Sequence, residues 1–346
     1  LEKHFKGRFL LHSQTIQAII QKFLANVETT KTNRKNGNKK ARYPYRRKKY
    51  VNSIWKGQSV KRNGNRIILP MGRGRNPILI KIPEIPAGRI AQVELAFRTL
   101  LITLSREIEI PKSGDGVAAV DLGVIHLAVI TNGEKTEGIV GRGLRSVAQG
   151  QNKAKAEIAR LESRCKKGSR RWKKLRRAKG KRRMRAERIQ HNLLHHAANQ
   201  IIKFSRENQI GTLVVGDITE ISRGKKNKMS RRTNQENSDN PLGKFLGYLE
   251  YKLQRIGVRL EKIGEHYTSQ TCPVCGQRHK PAGRVYKCRV CGFSGVRDEV
   301  GAINLLNKYR NSEIVPGELI PSGKIKYLRP VKLRSVVAPV TLAEVA

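Results

Sequence analysis

Acidic residues are scarce in this chain. Asp plus Glu number 26 against 72 Lys plus Arg, so 346 residues carry a formal net charge of +46. Long apolar runs are missing too. No stretch approaches the ~20 uninterrupted apolar residues of a membrane span. The first residues, Leu-Glu-Lys-His, hold neither a Met nor an apolar signal region, so no secretory signal is expected. Cysteine is sparse, at five. Hydrophobic residues still make up 38 %, which excludes gross disorder and is enough to build a core. The length fits two to three domains.

So large an excess of one sign repels itself unless an anion neutralises it, and at this scale the anion is nucleic acid. A surface kept basic for solubility needs a net charge of only about 2–8. A basic membrane-surface protein needs an amphipathic helix with a strong apolar face. The most basic stretch here is charged nearly all round: 15 of the 25 residues from Arg164 to Arg188 are Lys or Arg, opposed by Glu187 alone.

Four of the five cysteines form two knuckles, Cys272-x2-Cys275 and Cys288-x2-Cys291, with 12 residues between them. This spacing fits one structural Zn²⁺ held by four thiolates. Gly276 and Gly292 follow the second Cys of each knuckle, where a tight turn needs φ > 0. A closed site of this kind has no open position for catalysis. Cys165, alone in a basic helix, reads as a small apolar residue.

The pattern along the chain predicts an amphipathic helix over 12–30, with Ile16, Ile19, Ile20, Phe23 and Val27 on one face and Ser13 as its cap. A polar basic loop follows over 31–40. From Tyr43 to about Ser113, short apolar segments alternate with turn signals, as in a small all-β module. Tyr43, Tyr45, Tyr50 and Trp55 are interleaved with Arg42, Arg46, Arg47, Lys48 and Lys49. That mixture suits nucleic-acid stacking, or a barrel core with solvated charges. From Gly116 a buried strand, a turn and a second strand ending at Asn132-Gly133 are expected. Helices are predicted over 149–164, 169–208 and 241–256. Strands are predicted at Leu213–Asp217 and 258–263, then the zinc ribbon, a helix opened by Asp298, and a loop-like tail from about Tyr309 packed on the surface.

Asp121 ends an apolar run, where a carboxylate costs several kcal/mol unless it is paired or holds a metal. Strand, hairpin, later strand, helix, then Asp at a helix start sets acids at the ends of separate elements. An RNase H-like nuclease needs this, because about three carboxylates must hold two Mg²⁺ ions ~3.5–4 Å apart. Asp121 and Asp298 are the candidates on this logic, with Asp217 or Glu265 as the third.

Asp121-Leu-Gly-Val, the two knuckles, Tyr267-Thr-Ser-Gln-Thr-Cys-Pro-Val-Cys-Gly and Arg297-Asp-Glu-Val-Gly-Ala-Ile-Asn resemble the TnpB family. Its members are transposon-encoded RNA-guided DNA endonucleases, relatives of the type V CRISPR effectors. The resemblance covers most of the chain, and the ribbon followed directly by Asp-x-x-x-Ala-x-Asn is its most specific part. It implies an α/β architecture with a helical recognition segment (1–40, incomplete) and a β-barrel wedge domain (41–113). A RuvC-like nuclease domain (114–308) would follow, carrying a basic helical insertion (145–208) and the zinc ribbon (267–296), then a C-terminal tail (309–346). It implies guide RNA and target double-stranded DNA as partners, two catalytic Mg²⁺, no membrane, and a cytoplasmic, nucleoid-associated location of prokaryotic type. Tyr45-Arg-Arg-Lys-Lys and the Arg73 and Arg75 pair resemble the wedge. With Arg170, Arg171, Lys173, Lys174, Arg176 and Arg177 of the insertion, they are the expected nucleic-acid contacts.

In this resemblance Asp121 is the first RuvC acid and Asp298 the third. The second departs. Gly216 stands where the family's middle strand ends in Glu. Three readings follow. Glu265 supplies the acid from another strand, which is the first choice; Asp217 reaches in from the next position, against strand alternation; or the site lacks its third ligand and the protein binds guided targets without cutting, as a repressor would. A zinc-ribbon RNA-binding protein with no guided function is a further class, but it has no reason to carry Asp121 and Asp298.

Overall fold

The structure, a computed structural model, describes residues 2–5, 8–45, 51–84, 88–96, 99–107, 109–217, 230–281 and 283–330. The chain divides into two units, one reaching Ile108 and the other beginning at Glu109. Among the described residues no helix is long and apolar enough to cross a membrane.

In the first unit a short helix α1 (Glu2–Phe5) precedes the long helix α2 (Ser13–Lys35). His12, not Ser13, caps α2: its Nδ1 accepts from the Gln14 N–H at 3.3 Å. The helix continues through residues expected in a loop and ends before Gly37, at φ +88°. Arg34 and Lys35 in its last turn suit the negative end of the helix dipole. Its buried residues are Thr15, Ile16, Ala18 and Thr30, and Phe23 is exposed, so the inward face is smaller and more polar than expected.

Two three-stranded antiparallel sheets follow. One pairs β1 (Ser53–Lys56), β5 (Arg89–Ala96) and β6 (Thr99–Ser105). The other pairs β2 (Lys61–Asn63), β3 (Arg66–Leu69) and β4 (Ile78–Lys81). They share a core of Trp55, Ile67, Leu69, Ile80 and Val93. Trp55 is an interior residue whose indole N–H donates to the Pro70 carbonyl at 2.8 Å, so it is not available for stacking on nucleic acid.

The second unit is organised by a six-stranded sheet, order β11-β10-β7-β8-β9-β14. Strands β7 (Gly116–Leu122), β8 (His126–Thr131) and β9 (Thr136–Val140) form an antiparallel meander. The Asn-Gly turn joins the last two, as predicted. Strands β10 (Ile210–Gly216) and β11 (Arg259–Ile263) add in parallel on the β7 side.

Alternation along β7 sends Ala118, Val120 and Leu122 to one face. There they meet Leu193, Ala197, Ile201 and Phe204 of α4 (Arg170–Glu207), and Phe245, Leu249 and Leu253 of α6 (Leu242–Gln254). Val117 and Ala119 point the other way, with Val214 and Ile263, against Leu305 and Leu306 of α7 (Arg297–Asn311). The basic front half of α4 pairs with α3 (Arg142–Ser163). Helix α3 starts seven residues before the expected Gln149, since Gly143 and Gly150 weaken the helical signal there. A short helix α5 (Arg231–Asp239) follows β10, and Asn152 of α3 donates to its Asp239 at 2.5 Å.

The ribbon hairpin, β12 (Val285–Lys287) with β13 (Ser294–Val296), leads directly into α7. The expected loop-like tail is corrected by β14 (Ile325–Leu328), which joins the sheet in parallel with β9. Its four residues are too short a signal to read as a strand.

Candidate active site and metal centre

Strand parity sets the first acid. Asp121, two residues beyond Ala119, belongs to the α7 face of β7. On β10 the same face is taken by Val214 and, two residues on, by Gly216. The register pairs Val214 with Ala119 and Val215 with Val120, so Gly216 comes beside Asp121. A side chain at 216 would project towards α7. That space belongs to Glu265 instead: a Cβ on Gly216 would lie 1.8 Å from Glu265 Oε1, 2.0 Å from its Cγ and 2.2 Å from its Cδ. The residue that departs from the family pattern is thus the one whose missing side chain admits Glu265. Asp217 has the opposite strand parity, and its N–H donates to the Ile263 carbonyl at 2.7 Å.

Helix α7 brings the third carboxylate. Asp298 sits in its first turn, half-buried, and its Oδ2 accepts from His126 Nδ1 at 2.6 Å. One turn on, Gly301 lets the helix approach the sheet: a Cβ there would be 3.2 Å from Asp121 Cγ and Oδ2. Asp298 and Gly301, at i and i+3, share one helix face.

The electrostatics record how closely these groups gather. Burial pushes the Asp121 carboxyl well above the ordinary carboxylate range; the charges of Asp298 and Glu265 push it the same way, and Arg297 opposes them. Glu265 is raised by burial and then by Asp217. Glu265 Oε1 is buried without a hydrogen-bond partner. Mutually repelling carboxylates with an orphaned oxygen fit a hard divalent cation such as Mg²⁺. They are not packed as tightly as the ligands of the one cluster found within 4.8 Å among the described residues, the four thiolates.

Beside Asp298 opens a cavity of about 750 Å³, lined among others by His126, Tyr327, Arg142, Arg284 and Arg329. Sequence reading missed all five. The arginines come from α3, the ribbon and the residues after β14, with no shared motif, and only topology collects them. The His126 signal was its place five residues after Asp121 in the hairpin.

The thiolates of Cys272, Cys275, Cys288 and Cys291 lie within 4.8 Å of one another, with Cys272–Cys291 at 3.5 Å and Cys275–Cys288 at 3.6 Å. A tetrahedral Zn²⁺ with Zn–S ~2.3 Å needs S–S edges of about 3.8 Å, so the residues fit the ion. Gly276 and Gly292 have φ +74° and +73°. The backbone N–H of Cys291 holds the Cys288 thiol down to about 6, with a further contribution from Val290, which favours the thiolate. Val300 of α7 packs into the ribbon core with Cys272, Tyr286 and Cys288. The buried Asn304 donates to the carbonyls of Thr268 and Thr271, at 2.7 and 2.8 Å. The segment from Glu265 to the first knuckle is therefore tied to the helix that carries Asp298.

Arg170, Arg171, Lys173, Lys174, Arg176 and Arg177 are all carried on α4, with Arg176 5.0 Å over the Trp172 ring. Arg73 and Arg75 are exposed, as is Tyr45, which stacks on Tyr43 at 5.3 Å and 8°. Arg46, Arg47, Lys48 and Lys49 lie outside the described residues.

Two family models match the chain: OrfB_IS605, "Probable transposase", over residues 101–222, and "Cas12f1-like, TNB domain" over residues 243–305. A protein of Methanocaldococcus jannaschii named as a putative transposase is 38 % identical over 76 residues, 19 % of this chain and 70 % of that one. A TnpB-like protein of the same organism is 29 % identical over 133 residues, 37 % of this chain and 45 % of its own. The CRISPR-associated endodeoxyribonuclease Cas12f1 of an uncultured archaeon is 25 % identical over 132 residues, 36 % of this chain and 24 % of its own. The match thus spans less than half the length of either of these last two. A solved Cas12f1-sgRNA-target DNA complex shares the fold, with a TM-score of 0.53 and 15 % identity over 80 % of this chain and 68 % of that one. With its ribbon, its acidic strand and helix ends, and these matches in order along it, the chain belongs to the TnpB-like transposase family.

Proposed function

We propose that this protein is an RNA-guided DNA endonuclease with a RuvC-like site, in which Asp121, Glu265 and Asp298 hold two Mg²⁺ ions. The observation that carries the reading is the Glu265 carboxylate lying in the space a side chain at Gly216 would fill, beside Asp121. A chain that had given up metal chemistry would gain stability by replacing such buried and half-buried, mutually repelling acids with apolar residues. The sheet order also supports it: a three-stranded meander extended by two parallel strands is the arrangement an RNase H-like nuclease uses.

Bound there, Mg²⁺ would supply water activation and charge neutralisation at the leaving oxygen. The chain's own residues do the rest. The carboxylates orient the site. Arg142, Arg284 and Arg329 offer backbone phosphates a cationic wall next to Asp298. The basic side chains of α4, with Tyr45, Arg73 and Arg75, hold guide RNA and DNA by their backbones, and guide pairing selects the sequence. The four-thiolate zinc is structural.

The test is Mg²⁺-dependent cleavage of matched plasmid DNA by protein copurified with its own RNA. Wild type should cut, and Glu265→Ala should lose most of that activity. Gly216→Glu combined with Glu265→Ala should recover part of it, because residue 216 faces the same site. Wild type cutting no faster than Asp121→Ala would favour the non-cleaving, repressor-like reading. Glu265→Ala cutting as well as wild type would remove Glu265 from the site and bring Asp217 forward.

The basic helix gives a separate expectation. Changing the six Arg and Lys residues from Arg170 to Arg177 to Gln should weaken RNA and DNA binding similarly for unrelated sequences. It should also flatten the log–log salt slope by about 0.7–0.9 for each phosphate no longer neutralised. Binding measured from roughly 50 to 200 mM salt decides it, and a weakening confined to one sequence would mean that these side chains read bases.

A further inference from the structure

Neither His126 nor Tyr327 takes part in that chemistry, yet the structure joins them to Asp298. His126 opens β8, and its Nδ1–H donates to Asp298 Oδ2 at 2.6 Å. An ionised carboxylate only accepts, so the proton of this bond sits on the imidazole. Tyr327, from β14, lies with its ring centroid 5.0 Å from that of His126, tilted by 33°. The placement depends on Gly138 of β9, which is paired with Tyr327: a Cβ there would come within 2.8 and 2.9 Å of ring carbons Cδ1 and Cε1. A chain of contacts therefore runs from the sheet edge, through Tyr327 and His126, to the first turn of α7.

We propose that His126 is a positioning residue for the metal site: its Nδ1–H fixes one oxygen of Asp298 and turns the other towards the cation shared with Asp121 and Glu265, while Tyr327 fixes the plane of the imidazole. The proposal rests on the metal-dependent nuclease reading. Asp298 needs such a hold because a carboxylate in a helix's first turn can instead turn back to the unpaired N–H groups of its own helix. Its two companions are held differently, Asp121 by a strand within the sheet and Glu265 by the glycine beneath it. Partners that orient metal-binding side chains in this way change metal affinity by roughly 10–100-fold.

The experiment titrates Mn²⁺ into the zinc-loaded full chain without nucleic acid, followed by the loss of the free-ion paramagnetic resonance signal. His126→Leu, which keeps bulk but removes the donor, should weaken binding roughly 10–100-fold. His126→Asn, whose amide N–H can donate from the place of Nδ1, should stay within roughly threefold of wild type. Circular dichroism and zinc content report whether each variant is folded. If the Leu variant is not, His126→Gln replaces it, its donor displaced by one methylene, and it should bind more weakly than the Asn variant. Leu binding Mn²⁺ as tightly as wild type overturns the proposal, as does Asn losing as much as Leu, or Gln binding as well as Asn. Wild type binding no Mn²⁺ would remove the metal reading and this inference together, which separates the two failures.

Discussion

Asp121→Asn should abolish Mg²⁺-dependent cleavage and at the same time make the metal-free protein more stable at neutral pH. The two effects share one cause. Burial, then the charges of Asp298 and Glu265, raise the Asp121 carboxyl well above its ordinary range. A folded-state pKa above the unfolded one means the folded form binds this proton more tightly. Its stabilisation is present below the unfolded pKa and is lost as pH rises through the folded pKa. Above the unfolded pKa the metal-free fold is therefore destabilised at this carboxyl, and the neutral isostere removes that cost. Unfolding temperature should rise by roughly 2–4 °C for each kcal/mol relieved. Cleavage should fall by about three orders of magnitude, beyond the ~10–100-fold cost of disturbing an outer partner of a metal ligand. Thermal scans from pH 4 to 8 with and without Mg²⁺ check both. The advantage of the variant should shrink at acid pH and reverse when Mg²⁺ is added. An Asp121→Asn protein less stable than wild type in chelator at pH 7 would refute the repulsion.

Stripping the zinc should have the second large effect, and it should reach the acids. Metal binding to structural zinc sites in small domains is worth about 10–16 kcal/mol, so without the ion the ribbon has little to fold around. The ribbon core includes Val300 of α7, and Asn304 holds the carbonyls of Thr268 and Thr271, three and six residues beyond Glu265. Cys288→Ser, or dialysis against a strong thiol-compatible chelator, should release one zinc per chain and increase proteolysis between residues 265 and 296. It should also lower cleavage at least ~100-fold, although no thiolate meets substrate. Metal analysis, limited proteolysis and cleavage on the same sample test this. Full cleavage by zinc-free protein would show that the ribbon braces nothing the reaction needs.

Much of this arrangement was legible in the amino-acid order because the signals are local. The knuckles announce themselves by spacing and by the glycine that follows each. Asp121 stands out as a charge at the end of an apolar strand, and the alternation of β7 and β10 was enough to argue against Asp217. The parts that escaped depend on contacts distant in sequence. Glu265 was the first choice to replace the acid missing at Gly216, but only packing shows that the missing side chain and Glu265 are one feature, contributed by the end of β10 and the residues just past β11, 49 residues apart. Trp55 among basic residues fitted either a stacking surface or a barrel core, and the two small sheets closing over it decide for the core. Strand β14 had only four residues of pattern after the Pro321-Ser322-Gly323 turn, and its role comes from the bare edge of β9. His126 was passed over because a histidine at a strand start is unremarkable until the helix bearing Asp298 arrives, 172 residues later.

That long separation also has a bearing on synthesis. Asp298 follows Asp121 by 177 residues, and the strand that carries Tyr327 comes later still. At about 5–20 residues per second, a nascent chain holds Asp121 for roughly 9–35 s before the helix that completes the site exists. The basic helices α3 and α4 are complete in sequence by Glu207, 91 residues before Asp298. On the proposed function, guide capture would begin while the polypeptide is unfinished, whereas cutting would wait for the helix that carries Asp298.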